Sequence, residues 1–456
     1  MLRAPGASRV AVYPLGRQAG RRVVPAMTSA IIYSWLATCI PLIGALAGRI
    51  LWDDAPQLKK SCVIWCLITV APILKLTTNL PEGALLLGLL PIVAMISILG
   101  QPVQKDHRLS WLMTMVILGL GIGTIAHPAP LSQLFLLALL VTITGLLVRH
   151  HTILWPISWW GISQFCLAAL GVIVAALTTH PLSSLGALVT SAVLIPLLPF
   201  HTGYLIALTR LPGNLPSFSA FLLPAVGLHL MASALHIIPA AISGIVGLLA
   251  LIGALYGAVK ALAQTRVRLM LSYAGLSFFS MLWWHTSASS LATSRAAVFV
   301  ASIGLATCGL LIAWQIIRTR YGDDVDPSSI SGLASSMPRY AVLLSLLALA
   351  AMGLPPFGVF AGLTGLLLHA PIPSLIGLMI MSSAWLAASW YLMSAVQRLL
   401  FGTRRGDLRY RDVVQQEWAA LTVTIVILTV LGLAPIEWWT STATQSMAGT
   451  LSRAIP

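Results

Sequence analysis

Apolar stretches of some twenty residues recur along this chain, separated by short polar interruptions. They lie near 29–48, 61–78, 83–100, 110–126, 130–148, 158–178, 186–209, 217–237, 240–262, 269–287, 296–317, 340–371, 373–397 and 418–438. About 20 residues suffice to cross a bilayer as a helix. Lipid offers no partner for backbone N–H and C=O groups, so runs of this length fold as helices. The expectation is an all-α polytopic membrane protein of about 14 transmembrane helices, with 340–371 counted as one crossing broken at Pro355 and Pro356. Only 8% of the 456 residues are charged, and the longest polar stretches (49–61, 318–339 and 401–417) are loops. No soluble domain fits between the spans.

A net charge of +15 would suggest nucleic acid in a soluble chain, but the distribution of the basic residues gives another reason. The loops after odd-numbered segments hold eighteen Lys or Arg, from Arg49 to Arg411. The opposite side, leaving aside residues 1–26, holds Lys75, Arg295 and Arg453. That asymmetry is positive-inside anchoring, and it sets both ends outside the cytoplasm. Residues 1–26 carry Arg3, Arg9, Arg17, Arg21 and Arg22, no acid, and precede Met27. They are expected to be a mis-called start or a targeting extension, outside the fold. Cys39, Cys62, Cys66, Cys166 and Cys308 lie in apolar segments and read as small core residues. Gly-rich phosphate loops, CxxC clusters, hydrolase triads and haem-type histidine pairs are absent from the sequence. No cofactor, metal or catalytic residue is therefore expected in this chain itself.

Two segments are interrupted by prolines. Pro196 and Pro199 fall in LIPLLPFHTGY, and Pro355 and Pro356 in LPPFGVFAG; the PF pairs at 199–200 and 356–357 are 157 positions apart. Proline removes a helical hydrogen bond, and in lipid the freed carbonyl needs another partner. Breaks at corresponding places in two halves point to repeats and to an ion path near the midplane.

The segment LIPLLPFHTGYLIALTRLPGNLPSFSAFLL (194–223) resembles the antiporter-like membrane subunits of respiratory complex I, where a broken helix ends in Pro-x-His and a second proline opens the next helix. ALYGAVKALAQTRVRLMLSYAGLS (254–277), SGLASSMPRY (331–340) and MGLPPFGVFAG (352–362) resemble further signatures of that family, in its order. Its relatives include Mrp-type cation/proton antiporters, membrane-bound hydrogenases and the membrane partner of an inorganic-carbon uptake complex. The resemblance implies two inverted five-helix repeats within 129–400, each with a broken helix. Residues 27–128 precede this core as N-terminal helices, and 401–456 follow it as a cytoplasmic loop and a last helix. It also implies a midplane proton path, other membrane subunits as partners within the lipid bilayer, and no nucleic acid. The expected location is a bacterial inner (cell) membrane, with the mitochondrial inner membrane as the alternative.

The family's row of buried charges mostly does not carry over. By position its Glu falls on Leu139 and its Lys before the Pro-x-His on Leu194; its Lys or Glu of the second half falls on Leu363, and its His on Phe278. The Asp and Lys of the Gln-Thr-Asp-x-Lys stretch become Arg266 and Arg268. All eleven acids lie in loops or at span ends. One buried Lys is replaced by His229, which can still pass a proton because imidazole titrates near neutrality. His201 sits in the first break, Lys260 near a span end where it can snorkel, and His236 and His369 near outer ends. His229, His201, Lys260 and Arg268 are the proton-path candidates. Three functions follow: a membrane-arm subunit of a proton-translocating NADH:quinone oxidoreductase-type complex with conduction weakened or rerouted, a non-conducting scaffold of such a complex, or an energy-coupling subunit for inorganic-carbon or other solute uptake.

Overall fold

The computed structural model describes residues 20–77, 83–104, 107–149, 156–234, 240–289, 294–321, 330–368, 374–402 and 411–434. Among them every regular element is a helix. The first half runs α1 (Gly20–Leu51), α2 (Ala55–Thr77), α3 (Ala84–Leu99), α4 (Arg108–Ala126), α5 (Ala129–Arg149), α6 (Pro156–Leu177), α7 (Leu182–Leu194), α8 (Thr202–Arg210) and α9 (Leu215–Ala234). It continues with α10 (Ala240–Leu262), α11 (Val267–Ser289), α12 (Ser294–Tyr321), the single turn α13 (Leu333–Ser336), α14 (Pro338–Ala351), α15 (Gly358–Leu368), α16 (Leu375–Leu400) and α17 (Gln415–Leu433). Residues 1–19 of the expected N-terminal extension, His236, His369 and the histidines at 150–151 lie outside the described residues. The last residues of that extension, from Gly20, continue into α1.

Ten of these helices are long and apolar enough to cross a membrane. The other four expected crossings correspond to α3, which has 16 residues; to α11, whose arginine, serines and histidine dilute its apolar length; and to the interrupted pairs α7/α8 and α14/α15. Proline alone does not interrupt a helix here, since Pro72, Pro91 and Pro224 sit inside continuous helices.

Hydropathy does not decide which helices are central. The α5 and α12 spans share a mean hydropathy of 2.3, yet 94% of the α12 window is buried and 33% of the α5 window. Lipid tails are as apolar as leucine, so close packing rather than a hydrophobic drive selects the inner helices. At the α12–α9 crossing a Cβ on Gly304 would stand 3.0 Å from the Phe221 Cα, a contact that a larger residue could make only if the neighbouring helix gave way by a few tenths of an ångström. Helices α12, α9 and α4 form the buried centre, and α1, α2, α5, α10, α16 and α17 form a rim that exposes large apolar side chains such as Ile50, Leu386 and Trp390.

Candidate functional site: two helix breaks and a buried ionic cluster

The first break follows from which N–H groups proline removes. Pro196 cannot donate to the Ala192 carbonyl, and the Leu197 N–H takes that acceptor instead at 3.1 Å, one residue further along. Pro199 cannot donate to the Ile195 carbonyl, and the indole Nε1–H of Trp283 on α11 reaches it at 3.1 Å. Where the helix resumes, the Gly203 N–H would ordinarily bond the Pro199 carbonyl. The amide of Gln164 on α6 inserts between them: its Oε1 accepts from Gly203 at 2.7 Å and its Nε2 donates to Pro199 at 3.2 Å. Every freed backbone group named here has a protein partner, as a break in lipid requires.

The second break repeats the first at an offset of 157 residues. Ile195 N–H bonds Ser191 O at 2.7 Å, and Met352 N–H bonds Ala348 O at 2.8 Å; Leu197 N–H bonds Ala192 O, and Leu354 N–H bonds Leu349 O at 3.3 Å. The Leu198–Pro199 and Pro355–Pro356 peptides are both cis. Pro356 leaves the Met352 carbonyl free, and Trp385 Nε1 on α16 donates to it at 2.7 Å, the counterpart of Trp283. Pro196 is matched not by Pro355 but by Gly353, which turns the chain at φ +73°. Substituting phenylalanine for Trp283 or Trp385 leaves a buried carbonyl unpaired, and each change is expected to cost about 1–3 kcal/mol in thermal unfolding.

The four candidates do not form one row. His201 lies half-buried in the first break, with its ring centroid 5.7 Å from Tyr256 at 76°. The exposed Lys260 Nζ stands 5.7 Å from the centroid of the same Tyr256 ring, so the structure brings His201 and Lys260 to one tyrosine. Arg268 is committed elsewhere: its guanidinium donates to Thr209 O at 3.3 Å and Gln315 Oε1 at 2.8 Å, tying α8 to α12. His229 is half-buried on α9. Gly227 meets the first break, where a Cβ would lie 3.2 Å from Ile195 N, and Leu222 meets Gly121 of α4. Helical spacing of 100° per residue turns His229 about 200° from Gly227 and onto the face of Leu222. His229 therefore lies on the side of α9 away from the break that holds His201.

A cluster missed by the sequence reading is more heavily buried than any of the four. Lys59, counted above as a loop anchor, is 3% exposed. Its ammonium donates to Leu99 O at 3.0 Å, Gln101 O at 2.6 Å and Gln416 Oε1 at 2.8 Å. Two of these acceptors lie at and just beyond the end of α3, where helix carbonyls lack intrahelical donors and a cation is favoured. Beside it Arg320 Nη2 pairs with Glu417 Oε2 at 2.6 Å, and the same oxygen accepts from Val414 N at 3.0 Å. Asp412 caps the start of α14 through the Arg339 and Tyr340 N–H groups at 3.0 and 3.3 Å. The sequence signal was an acid in the first turn of an otherwise apolar helix, Glu417 on α17.

The residues onto which the family's charges fall are apolar and closed off. Leu139, Leu194 and Leu363 are fully buried, and Phe278 nearly so. Among the described residues no group of three His, Cys, Asp or Glu could hold a metal ion.

Known proteins supply the context. Residues 178–387 match the family model described as NADH:quinone oxidoreductase/Mrp antiporter, TM. NADH-quinone oxidoreductase subunit M of Pseudomonas aeruginosa is 27% identical over 290 residues, covering 58% of this chain and 55% of that protein. Subunit 13 of the Thermus thermophilus enzyme is 29% identical over 195 residues, 42% of this chain and 40% of its own. The chain thus spans about half the length of the curated relatives it matches. Similar folds occur in respiratory complex I from Thermus thermophilus with bound NADH (TM-score 0.73, 19% identity, 90% of this chain and 99% of that one). The membrane-bound sulfane sulfur reductase, an archaeal respiratory membrane complex, contains another (TM-score 0.74, 16% identity, 90% and 96%). The matched segment contains both helix breaks, and over residues 178–387 this chain is similar to the NADH:quinone oxidoreductase/Mrp antiporter transmembrane family.

Proposed function

We propose that the chain is an antiporter-like membrane-arm subunit of an NADH:quinone oxidoreductase-type complex, with proton conduction weakened or rerouted through His229 and bound water. The observation that carries this reading is the pair of breaks that share two backbone hydrogen bonds and a tryptophan donor at one offset, a construction of value where a path for an ion crosses the midplane. In this reading 129–400 form two inverted five-helix repeats within a fourteen-crossing subunit of a bacterial inner membrane, with other membrane subunits as partners. Because His229 lies on the side of α9 away from the first break, the rerouted path bypasses His201.

One observation favours a second reading, a non-conducting scaffold: Leu139, Leu194 and Leu363 are sealed into the core, and an apolar core carries no proton. Proton transfer by the reconstituted complex separates the two. A positioned proton carrier contributes about a hundredfold, so His229→Leu is expected to slow transfer by about that factor while His201→Leu leaves it intact. Unchanged transfer in His229→Leu would rule out the relay through His229.

A further inference from the structure

Helices α11, α12, α14 and α16 leave a shallow apolar groove between them, partly open to the surroundings. Its lining on α14 runs from Tyr340 to Ala348, eight residues or about 12 Å of helix. Leu310 and Trp314 of α12 and Leu392 and Leu399 of α16 also line it. The Tyr340 hydroxyl is spent on Ala313 O at 3.0 Å, so the ring presents only its apolar body.

The groove begins at the ends of these helices that face the Arg-rich side of the protein. Val267, Tyr340 and Leu399 line it there, and the adjoining Arg266, Arg339 and Arg398 are all exposed. The nearby described acids are already engaged: Asp412 accepts from the backbone of α14, and Glu417 pairs with Arg320. We infer that this groove binds one acyl chain of an anionic phospholipid, with the phosphate held at the arginine rim. The length along α14 suits it, since one leaflet's hydrocarbon layer is about half of the ~30 Å core. The charge suits it as well, because an apolar helix from a neighbouring subunit would gain nothing from three exposed guanidinium groups, whereas a phosphate accepts their hydrogen bonds. The inference is independent of whether the protein conducts protons.

The test uses the full-length protein in nanodiscs doped with phosphatidylglycerol carrying a photoreactive acyl chain, and the same chain on phosphatidylcholine. Cross-links are expected within 267–271 and 392–399, with the anionic lipid preferred. Each basic group near an anionic head is worth about fivefold, so Arg266→Gln with Arg398→Gln is expected to reduce that preference about 25-fold. Ala395→Leu, which fills the groove and leaves the rim, is expected to reduce labelling by both lipids. Equal labelling by the two lipids would overturn the proposal, as would an unchanged preference in the double variant. So would competition by soluble glycerophosphate, which would mark a free-anion site, or cross-linking to a neighbouring polypeptide at these positions.

Discussion

Glu417→Ala is expected to lower stability by about 3–5 kcal/mol, because removing one member of a buried ion pair leaves the other charge uncompensated. The carboxylate is 5% exposed, its Oε2 holds both Arg320 and the Val414 N–H, and the Lys59 ammonium lies beside it on Gln416. Thermal unfolding of the purified protein reads the effect. The Arg108–Asp53 pair is the control: Asp53 is fully exposed, and Asp53→Ala is expected to leave the unfolding temperature unchanged. Replacing Arg320 and Glu417 together by leucines is expected to cost less than Glu417→Ala alone, since no unpaired charge remains from the pair. If Glu417→Ala behaves like Asp53→Ala, the cluster is not sealed from water as described.

Gly432→Val is expected to be comparably damaging, for a steric reason. Helix α17 passes over the second break so closely that a Cβ at Gly432 would collide with Pro356 O, Phe357 C and Gly358 N. These are backbone atoms of a segment already pinned by Trp385, and they cannot swing aside as a side-chain tip can. Overpacking costs about 1–3 kcal/mol where side chains yield, and a backbone collision belongs at or above the top of that range. Gly88 in α3 gives the opposite expectation. A Cβ added there would meet nothing within 4 Å, so Gly88→Ala is expected to stabilise by up to about 1 kcal/mol. Folded yield in detergent and unfolding temperature distinguish the three proteins, and a Gly432→Val protein as stable as Gly88→Ala would contradict the close approach.

The sequence announced the helices because composition and segment length leave lipid-embedded chains few alternatives. The breaks were legible as well, through proline spacing, although prolines by themselves mislead: Pro72, Pro91 and Pro224 stay within helices while Gly353 serves where Pro196 does. What the chain could not disclose is long-range pairing. Trp283 and Trp385 carry no mark that singles them out among fifteen tryptophans, and Lys59 looked like an ordinary surface anchor until residues 99, 101 and 416 were brought to its ammonium. Nor did counting residues to His229 reveal which way it faces; that depended on which neighbours Leu222 and Gly227 meet.

The two breaks share one backbone pattern but wait unequal times for their tryptophans. A chain made at about 5–20 residues per second supplies Trp385 33 positions after Met352, in about 2–7 s. Trp283 follows Ile195 by 88 positions, so it is supplied about 4–18 s after the residue whose carbonyl it pairs. Gln164, made 35 positions before Pro199, is already available to bridge the resuming helix during that interval. The bridge at Pro199 and Gly203 thus uses a residue made before the break, whereas each tryptophan is made after the break it serves.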